Sequence, residues 1–394
     1  MDAPALALPT PQTLSLDLDV HGHLADLRAW TAQWQADDQW LRQQVQGLSP
    51  SRRADVLLGS QIGSLRRQRA LRVARRPFYL DPEAIRPMGF TRLRAHLAPQ
   101  YARLSPADRQ LWLANLAFLL TPTLHGLIEK LDAIRRYRSL GQARCLLLGG
   151  VSGAGKSSLL NWYGVRDQPE VQATRNHVPV VKIDAPVSNR SPKPLFQRLL
   201  LACGAAIVRG DEEHHLRLLE LYFQHCGVEL LIVDEVEHIQ VPALRRRLLE
   251  LSNLTGVPIV CASCNPVAWT LGDAEVQGRW NDYFELTPFT GPRLDAFLSL
   301  LDLLLPFEQD SGLGLRQVAG QPGPAAFIEQ WTDGILREIM VLVLDACLKA
   351  LAARQPGLSV AVLQQAWGDI KRAKVVNFLD YLRAQTAQAS ATHG

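Results

Sequence analysis

A glycine-rich segment between an apolar strand and a helix most constrains what this chain can fold into. In CLLLGGVSGAGKSSLL, Gly150 is followed by four residues and then by Gly155, Lys156 and Ser157. Glycines let the backbone curl so that its N–H groups surround phosphate oxygens without a Cβ clash. The helix that begins at Lys156 adds the positive end of its dipole. The segment therefore predicts a phosphate-binding loop in an α/β fold.

The predicted loop supplies the residues that bind a nucleoside triphosphate. We expect Lys156 to reach the β- and γ-phosphates and the Ser157 hydroxyl to ligate Mg²⁺. The residues predicted to bind the nucleotide share this loop and the first turn of the helix: Gly150, Ser152, Gly153, Ala154, Gly155, Lys156, Ser157 and Ser158. The predicted ligands are therefore ATP and Mg²⁺.

A second motif distinguishes hydrolysis from phosphoryl transfer to another molecule. In ELLIVDEVEH, four apolar residues form a buried strand that brings Asp234 and Glu235 to its carboxyl end, where α/β sheets bind ligands. We expect Asp234 to hold Mg²⁺ and Glu235 to activate the attacking water. A small-molecule kinase gains nothing from a water-activating glutamate, so the pair predicts a Mg²⁺-dependent ATPase.

Composition and cysteine usage restrict where such a chain works. Its 394 residues are 47% hydrophobic and its net charge is +4, so a large core is expected and overall charge does not indicate nucleic-acid binding. Scattered cysteines and the lack of a long apolar segment favour a cytoplasmic protein with no membrane association. Cys261 and Cys264 form a CxxC pair, for which a structural role is favoured because no second pair completes a zinc site.

The order of predicted elements divides the chain into four parts. Helices alternate with short apolar strands from about residue 116, which predicts a parallel sheet, and after Pro288 the pattern is wholly helical. Ser105 and Pro106 indicate the start of a helix that continues to Pro122. The predicted domains are a mainly helical, arginine-rich N-terminal extension at 1–115, an α/β nucleotide-binding core at 116–290, a C-terminal helical lid at 291–380 and a flexible tail at 381–394.

Further residues match the pattern of AAA+ ATPases. The strand VPIVCASCNP should lie beside the strand before the loop and present Asn265, or else Ser263, at the place of the polar sensor 1 residue. Arg279 stands where oligomeric ATPases have an arginine that reaches the neighbouring subunit's nucleotide; a surface arginine is the alternative. Gly334 and Arg337 match the sensor 2 pattern. The predicted catalytic residues are Lys156, Glu235, Asn265, Arg279 and Arg337.

Several stretches together resemble the TnsC/TniB family of AAA+ regulators of DNA transposition. The resemblance covers about residues 116–375, roughly two thirds of the chain, and its more specific marks are KIDAPVSNRSPKPLF, the leucine-rich LLDLLLPF and the lid glycine. Three features depart from the family pattern. Trp280 replaces the phenylalanine that commonly follows the arginine, the loop after Glu235 is short, and about 115 residues precede the matching region.

The resemblance implies an ATP-dependent homo-oligomer, a ring or a helical filament, that assembles on double-stranded DNA, marks a target site and recruits or activates a transposase. The implied partners are duplex DNA, the transposase and a TniQ-type adaptor, as in Tn-seven-like and CRISPR-associated transposons, and the implied location is the bacterial cytoplasm at the nucleoid. Carried over by position, Lys182, Arg190 and Lys193 lie in or beside the segment that lines the DNA channel. Arginines of the extension either bind phosphates or form a solvated basic face.

Two other functions stay open from the sequence. One is a signalling or defence ATPase that acts as a nucleotide-gated scaffold, with the N-terminal region as its sensor. The other is a replication initiator or loader, because the lid motif also occurs in that group. Neighbouring genes for an integrase-type transposase and a TniQ-like adaptor would favour transposition, and a neighbouring nuclease or protease effector would favour defence.

Overall fold

The structure is a computed structural model that describes residues 12–47, 78–116, 119–138, 144–167, 170–171, 176–186, 191–205, 209–239, 241–266, 269, 278, 280 and 282–372. Contacts divide the chain into two compact units. The sheet unit comprises Met1–Thr13, Gly22–Leu80 and Phe118–Thr287, and the helical unit comprises Leu14–His21, Asp81–Ala117 and Pro288–Gly394. The four domain limits drawn from the sequence stay predictions.

Helices and short strands alternate along the chain, and no described helix is both long and apolar enough to cross a bilayer. The helices are α1 (Val20–Val45), α2 (Pro82–Ile85), α3 (Phe90–Ala102), α4 (Pro106–Asn115), α5 (Pro122–Arg138), α6 (Lys156–Arg166), α7 (Lys193–Ala202), α8 (Glu212–His225), α9 (Pro242–Thr255), α10 (Gly291–Leu304), α11 (Pro324–Thr332), α12 (Leu336–Ala352) and α13 (360–372). The strands are β1 (Gln12–Thr13), β2 (Phe78–Tyr79), β3 (Leu119–Leu120), β4 (Cys145–Gly150), β5 (Glu170–Val171), β6 (Asn176–His177), β7 (Val180–Asp184), β8 (Leu230–Asp234), β9 (Ile259–Ala262), β10 (Asp282–Leu286), β11 (Gln317–Val318) and β12 (Gln321–Pro322).

A five-stranded parallel sheet forms the centre of the sheet unit, with the strand order β10-β4-β9-β8-β7. Parallel strands need crossover connections, and helices that cover both faces bury the strands completely. This is why β4, β8 and β9 are continuous apolar runs rather than alternating sequences. The predicted α/β class with a parallel sheet is confirmed, and β9 lies beside β4 as expected from the sequence.

Alternate residues of each strand enter two separate cores, one on each face of the sheet. Leu146 of β4 packs in the core that also contains Leu131 of α5 and Leu159 of α6. Leu147, the next residue, packs on the opposite face in the core that contains Phe196 of α7. Each such fully buried side chain contributes about 2 kcal/mol of hydrophobic stabilisation, so burial on both faces holds the carboxyl ends of the strands in place.

In the helical unit, side chains of α3 and α4 bond to the carboxyl end of α10. The Tyr101 hydroxyl donates to the Leu303 carbonyl oxygen at 3.0 Å. The Trp112 indole N–H donates to the Leu304 carbonyl oxygen at 2.6 Å. The last carbonyls of a helix have no partner within the helix, so these donors satisfy polar groups that are otherwise costly to bury. The segment Asp81–Ala117 is thereby attached to α10.

The helix predicted to start at Ser105 is shorter than the sequence suggests. The Ser105 hydroxyl accepts the Asp108 backbone N–H at 3.2 Å, which confirms the predicted N-cap. The helix ends at Asn115, however, and does not continue to Pro122. Residues 119–120 instead form β3, because they pair with β2, a partner distant in the sequence that local helical periodicity does not reveal.

The prediction of a wholly helical region after Pro288 is wrong in one place. β11 and β12 pair as an antiparallel hairpin whose turn contains Ala319 and Gly320, both with positive φ. A glycine in the second position of a two-residue turn is a hairpin signal that the helical pattern around it concealed. The rest of the described C-terminal region consists of the helices α10 to α13 and their connections.

Gly334, the glycine of the predicted sensor 2 pattern, is required by a close backbone contact. Its φ is 67°, and its carbonyl oxygen accepts the Phe289 backbone N–H at 2.8 Å. A Cβ on Gly334 would stand 2.0 Å from the Phe289 carbonyl oxygen. Backbone cannot rotate away as a side chain can, so this position admits only glycine without rearrangement.

We therefore expect Gly334→Ala to lower the thermal unfolding midpoint more than Gly291→Ala does. Gly291 also has a positive φ, 55°, but no atom lies within 4 Å of its Cβ position. Both variants lose about 1–2 kcal/mol through the left-handed backbone, and only Gly334→Ala adds the clash. Each further kcal/mol lowers the midpoint by about 2–4 °C, which circular dichroism detects. Equal midpoints for the two variants would contradict the close contact at Gly334.

Candidate nucleotide-binding site

The loop between β4 and α6 has the backbone that its glycines predict. Gly150, Gly153 and Gly155 have φ values of 139°, 86° and 101°, in the region that glycine occupies without strain. A Cβ on Gly150 would stand 2.5 Å from the Leu286 carbonyl oxygen. The loop thus packs closely on β10, and α6 begins directly after it at Lys156.

Lys156 is 8% exposed, and its ammonium group lies inside the loop. It donates hydrogen bonds to the carbonyl oxygens of Gly150 and, at 3.1 Å, of Val151. Burial lowers the pKa of Lys156, although the nearby acidic groups of Glu237 and Asp234 act in the opposite direction. A buried cation held by neutral carbonyls at a helix N-terminus fits the phosphate groups of ATP, which would supply negative charge there.

Asp234 ends β8 and is 2% exposed. Its Oδ1 accepts the Glu235 backbone N–H at 2.9 Å, and the Lys182 ammonium lies 3.7 Å from its Oδ2. Lys182 also pairs with Asp184, which lies opposite Asp234 on the neighbouring strand β7. Carboxylate and hydroxyl oxygens are the ligands that Mg²⁺ prefers. Asp234, together with the exposed Ser157 at the first turn of α6, therefore fits a magnesium ion.

Glu235 follows Asp234 in a left-handed conformation, with φ 57°. This conformation is uncommon for residues other than glycine, asparagine and aspartate, and such residues are concentrated at functional sites. The Glu235 side chain is 54% exposed, and its Oε2 lies 3.9 Å from Nε2 of His238. The turn directly after β8 therefore leaves this carboxylate accessible to water, as its predicted role requires.

The same turn contains an acidic residue that the sequence prediction missed. Glu237 Oε1 accepts a hydrogen bond from the Cys264 thiol at 3.0 Å. Burial acts to raise the pKa of Glu237, but hydrogen bonds, above all the one from Cys264, outweigh burial and lower it. The negative charge of Glu237 acts to raise the pKa of Lys156. The signal was present in DEVEH, where a third acidic residue, Glu237, follows the Asp-Glu pair.

Ser263 and Asn265 follow β9, beside the loop strand. The Ser263 backbone N–H donates to the Leu148 carbonyl oxygen at 3.0 Å, which extends the pairing of β9 with β4. Ser263 is fully buried and its hydroxyl oxygen accepts the Asn265 backbone N–H at 2.9 Å. Asn265 itself is exposed. The sensor 1 role of Asn265, with Ser263 as the alternative, stays a prediction.

The two cysteines of the CxxC pair have different surroundings. Cys261 is fully buried in β9, whereas Cys264 is exposed and bonded to Glu237. Within the described residues, no group of three or more histidine, cysteine or acidic side chains is arranged to hold a metal ion.

The other residues predicted from the sequence are not all described. Arg279 and Arg190 lie outside the described residues. Lys193 is exposed at the first residue of α7. Arg337 is exposed in the first turn of α12 in the helical unit, with its Nη2 3.4 Å from Glu338 Oε1. The neighbouring-subunit, DNA and sensor 2 roles of these residues stay predictions.

Comparison with protein families agrees with this fold. Residues 138–268 match the AAA domain family model. No curated protein sequence matches the chain significantly. Among solved structures, the Aeropyrum pernix ORC2 protein with ADPNP and ADP is 16% identical, with a TM-score of 0.44, over 62% of this chain and 67% of that one.

Two further solved structures are similarly distant. Cdc6p from Pyrobaculum aerophilum is 14% identical, with a TM-score of 0.45, over 62% of this chain and 66% of its own. The Aeropyrum pernix ORC1 protein in complex with DNA is 15% identical, with a TM-score of 0.46, over 68% of this chain and 71% of its own. The family match and the geometry of the loop and sheet together identify the fold of an AAA+ P-loop ATPase, with an AAA domain at residues 138–268.

Proposed function

We propose that this chain is a Mg²⁺-dependent AAA+ ATPase that assembles on double-stranded DNA and regulates DNA transposition. The observation that carries the ATPase part is the meeting of three elements at one edge of the sheet. Lys156 lies in the glycine loop, Asp234 ends the strand β8, and Ser263 follows the strand β9 between them. The strand order places β9 between β4 and β8, so the three sites are neighbours.

Each residue has a specific role in hydrolysis under this proposal. Lys156 binds the β- and γ-phosphates, and Ser157 with Asp234 holds Mg²⁺. A metal held there would supply positive charge beside the phosphates. Glu235 orients the attacking water and accepts its proton, and Asn265 hydrogen-bonds to that water or to the γ-phosphate. The arginine of a neighbouring subunit, Arg279, completes the site, which makes hydrolysis depend on assembly.

The DNA part of the proposal rests on the family resemblance of the sequence. The segment KIDAPVSNRSPKPLF contains the last three residues of β7 and the first turn of α7. Lys193 is exposed at the start of α7, as a phosphate-contacting lysine would need to be. Nucleotide binding would set the assembled state, and hydrolysis would release it from the target.

Negative-stain imaging with parallel ATPase assays tests this function directly. Purified protein is examined with and without linear duplex DNA, using either ATP or a non-hydrolysable analogue. Rings or filaments that form only when nucleotide and duplex are both present support the proposal, and Lys156→Ala serves as the assembly-deficient control. Assembly that is indifferent to DNA contradicts it and favours a signalling scaffold.

A second experiment separates transposition from replication initiation, because Gly334 and Arg337 fit the lid pattern of both groups. A strand-transfer assay combines the protein with an integrase-type transposase and a TniQ-type adaptor. ATP-dependent stimulation of target joining supports a transposition regulator. Loading of a replicative helicase onto DNA, without any effect on joining, supports an initiator.

A further inference from the structure

The side chain of Lys182 lies between two carboxylates at the nucleotide site. β7 and β8 pair in register, so that Asp184 stands opposite Asp234 at the carboxyl ends of the two strands. Lys182, two residues before Asp184, projects from the same face of the sheet. Its ammonium pairs with Asp184 and lies 3.7 Å from Oδ2 of Asp234.

This lysine occupies a position where a parallel strand normally has an apolar residue. Its neighbours Val181 and Ile183 are buried on the opposite face, and the Lys182 side chain is only 11% exposed. Burying an ammonium is costly unless it is paired. The side chain of Asp234, which faces the Lys182 ammonium, is only 3% exposed. Each charge therefore compensates the other.

A glycine of α6 lies against the aliphatic part of the Lys182 side chain. Gly164 lies in α6, and a Cβ there would stand 3.0 Å from Cβ of Lys182. The aliphatic part of Lys182 therefore packs against α6, the helix that begins at the phosphate-binding loop. Lys156, the loop lysine, is held by the carbonyl oxygens of Gly150 and Val151. Among the described residues, the cation recorded at ion-pair distance from Asp234 is Lys182.

We propose that Lys182 is a positioning residue for the magnesium site, which rests on the proposed role of Asp234 as a Mg²⁺ ligand. When the metal is absent, the Lys182 ammonium is the counter-ion of Asp234 and keeps that carboxylate oriented at the end of β8. Mg²⁺ competes with the lysine for Asp234. The partly exposed Asp184 then retains the ammonium, so the lysine moves between two adjacent carboxylates. Metal loading and the Lys182–Asp234 ion pair exclude one another.

The test is a Mg²⁺ titration of nucleotide binding, with a fluorescent ATP analogue and no measurement of turnover. Lys182→Met keeps the length of the stem and removes the charge, so the half-saturating Mg²⁺ concentration should fall by roughly fivefold or more, the usual size of coupling between sites. Lys182→Arg keeps the charge and should stay near wild type. Lys371→Met removes an exposed lysine of α13 and serves as the matched control, with an unchanged midpoint.

A second variant should shift the half-saturating Mg²⁺ concentration in the opposite direction. Its result can be interpreted even if Lys182→Met does not fold. Asp184→Asn removes the alternative partner, so Lys182 should bind Asp234 more tightly and the half-saturating Mg²⁺ concentration should rise. The Asp184 side chain is 50% exposed, so its neutralisation should not unfold the protein. Thermal unfolding in EDTA adds an independent readout: Lys182→Met should melt earlier than wild type without metal, and Mg²⁺ with nucleotide should restore it.

Three results would overturn the inference. An unchanged Mg²⁺ midpoint in both Lys182→Met and Asp184→Asn would mean that the ion pair is structural only. Weaker nucleotide binding by Lys182→Met in EDTA would mean that the lysine contacts phosphate directly. An equal shift in Lys371→Met would indicate a general charge effect. Failure of the proposed ATPase itself is distinct, because wild-type protein would then show no Mg²⁺-dependent nucleotide binding at all.

Discussion

Lys156→Ala should bind ATP about 100-fold more weakly than the wild type, or not measurably. The ammonium is the buried cation of the phosphate-binding loop, and hydrogen bonds from charged groups contribute about 1.5–3 kcal/mol each. Loss of contacts to two phosphates therefore removes about 3 kcal/mol or more, and each 1.4 kcal/mol is tenfold in affinity. Isothermal titration calorimetry or anisotropy of a fluorescent ATP analogue measures the loss.

The Lys156 variant needs a control for general charge and for folding. Lys193→Ala removes a lysine that is exposed on α7 outside the loop, and its ATP affinity should equal that of the wild type. Unfolding midpoints identify any variant whose loop has collapsed, since Lys156 also bonds to the Gly150 carbonyl oxygen. Undiminished ATP affinity in folded Lys156→Ala would show that the nucleotide binds elsewhere.

Glu235→Gln should slow ATP hydrolysis by about 10²- to 10⁴-fold while ATP affinity stays close to that of the wild type. The amide is the same size as the carboxylate but cannot accept a proton from the attacking water, and general-base catalysis typically accounts for this range of rate. The ATP-bound assembly should consequently persist on DNA. Phosphate release under saturating ATP measures the rate, and a DNA-retention assay measures the persistence.

Two further glutamine variants make the assignment of Glu235 specific. Glu250→Gln changes a glutamate of α9 that pairs with Arg247 outside the site, and it should leave the rate unchanged. Glu237→Gln is the informative comparison, because Glu237 lies in the same turn and its charge influences Lys156. Normal turnover in Glu235→Gln combined with loss of turnover in Glu237→Gln would transfer the water-activating role to Glu237.

The nucleotide loop was predictable because its determinants are local. Glycines at three loop positions are required by positive φ, and a run of apolar residues before them predicts a buried strand. Asp234 was predictable for the same reason, since four apolar residues set the strand that it ends. The helix N-cap at Ser105 is also local, because the hydroxyl bonds to a backbone N–H three residues away.

One error in the sequence analysis arose where the partner is distant in the chain, whereas the β11–β12 hairpin was missed although its strands are adjacent in sequence. Leu119 and Leu120 continue a helical pattern, but pairing with β2 makes them a strand. The DNA contact that family position implies for Lys182 stays a prediction, and the sequence did not reveal that its ammonium lies 3.7 Å from Oδ2 of Asp234. The alternation of side chains along VVKID predicts that Lys182 and Asp184 lie on the same face of β7. Only the pairing of β7 with β8 shows that this face also carries Asp234.

By itself, then, the sequence determined the conformations that neighbouring residues impose on one another: the glycine loop, the apolar strands and the helix starts. The tertiary structure alone decided the order of the five strands, the burial of Lys182 against Asp234 and the bonds from Tyr101 and Trp112 to the end of α10. The reason is physical. Backbone preferences act within a few residues, whereas the free energy of burying a charge or an unpaired carbonyl depends on which distant segment packs against it.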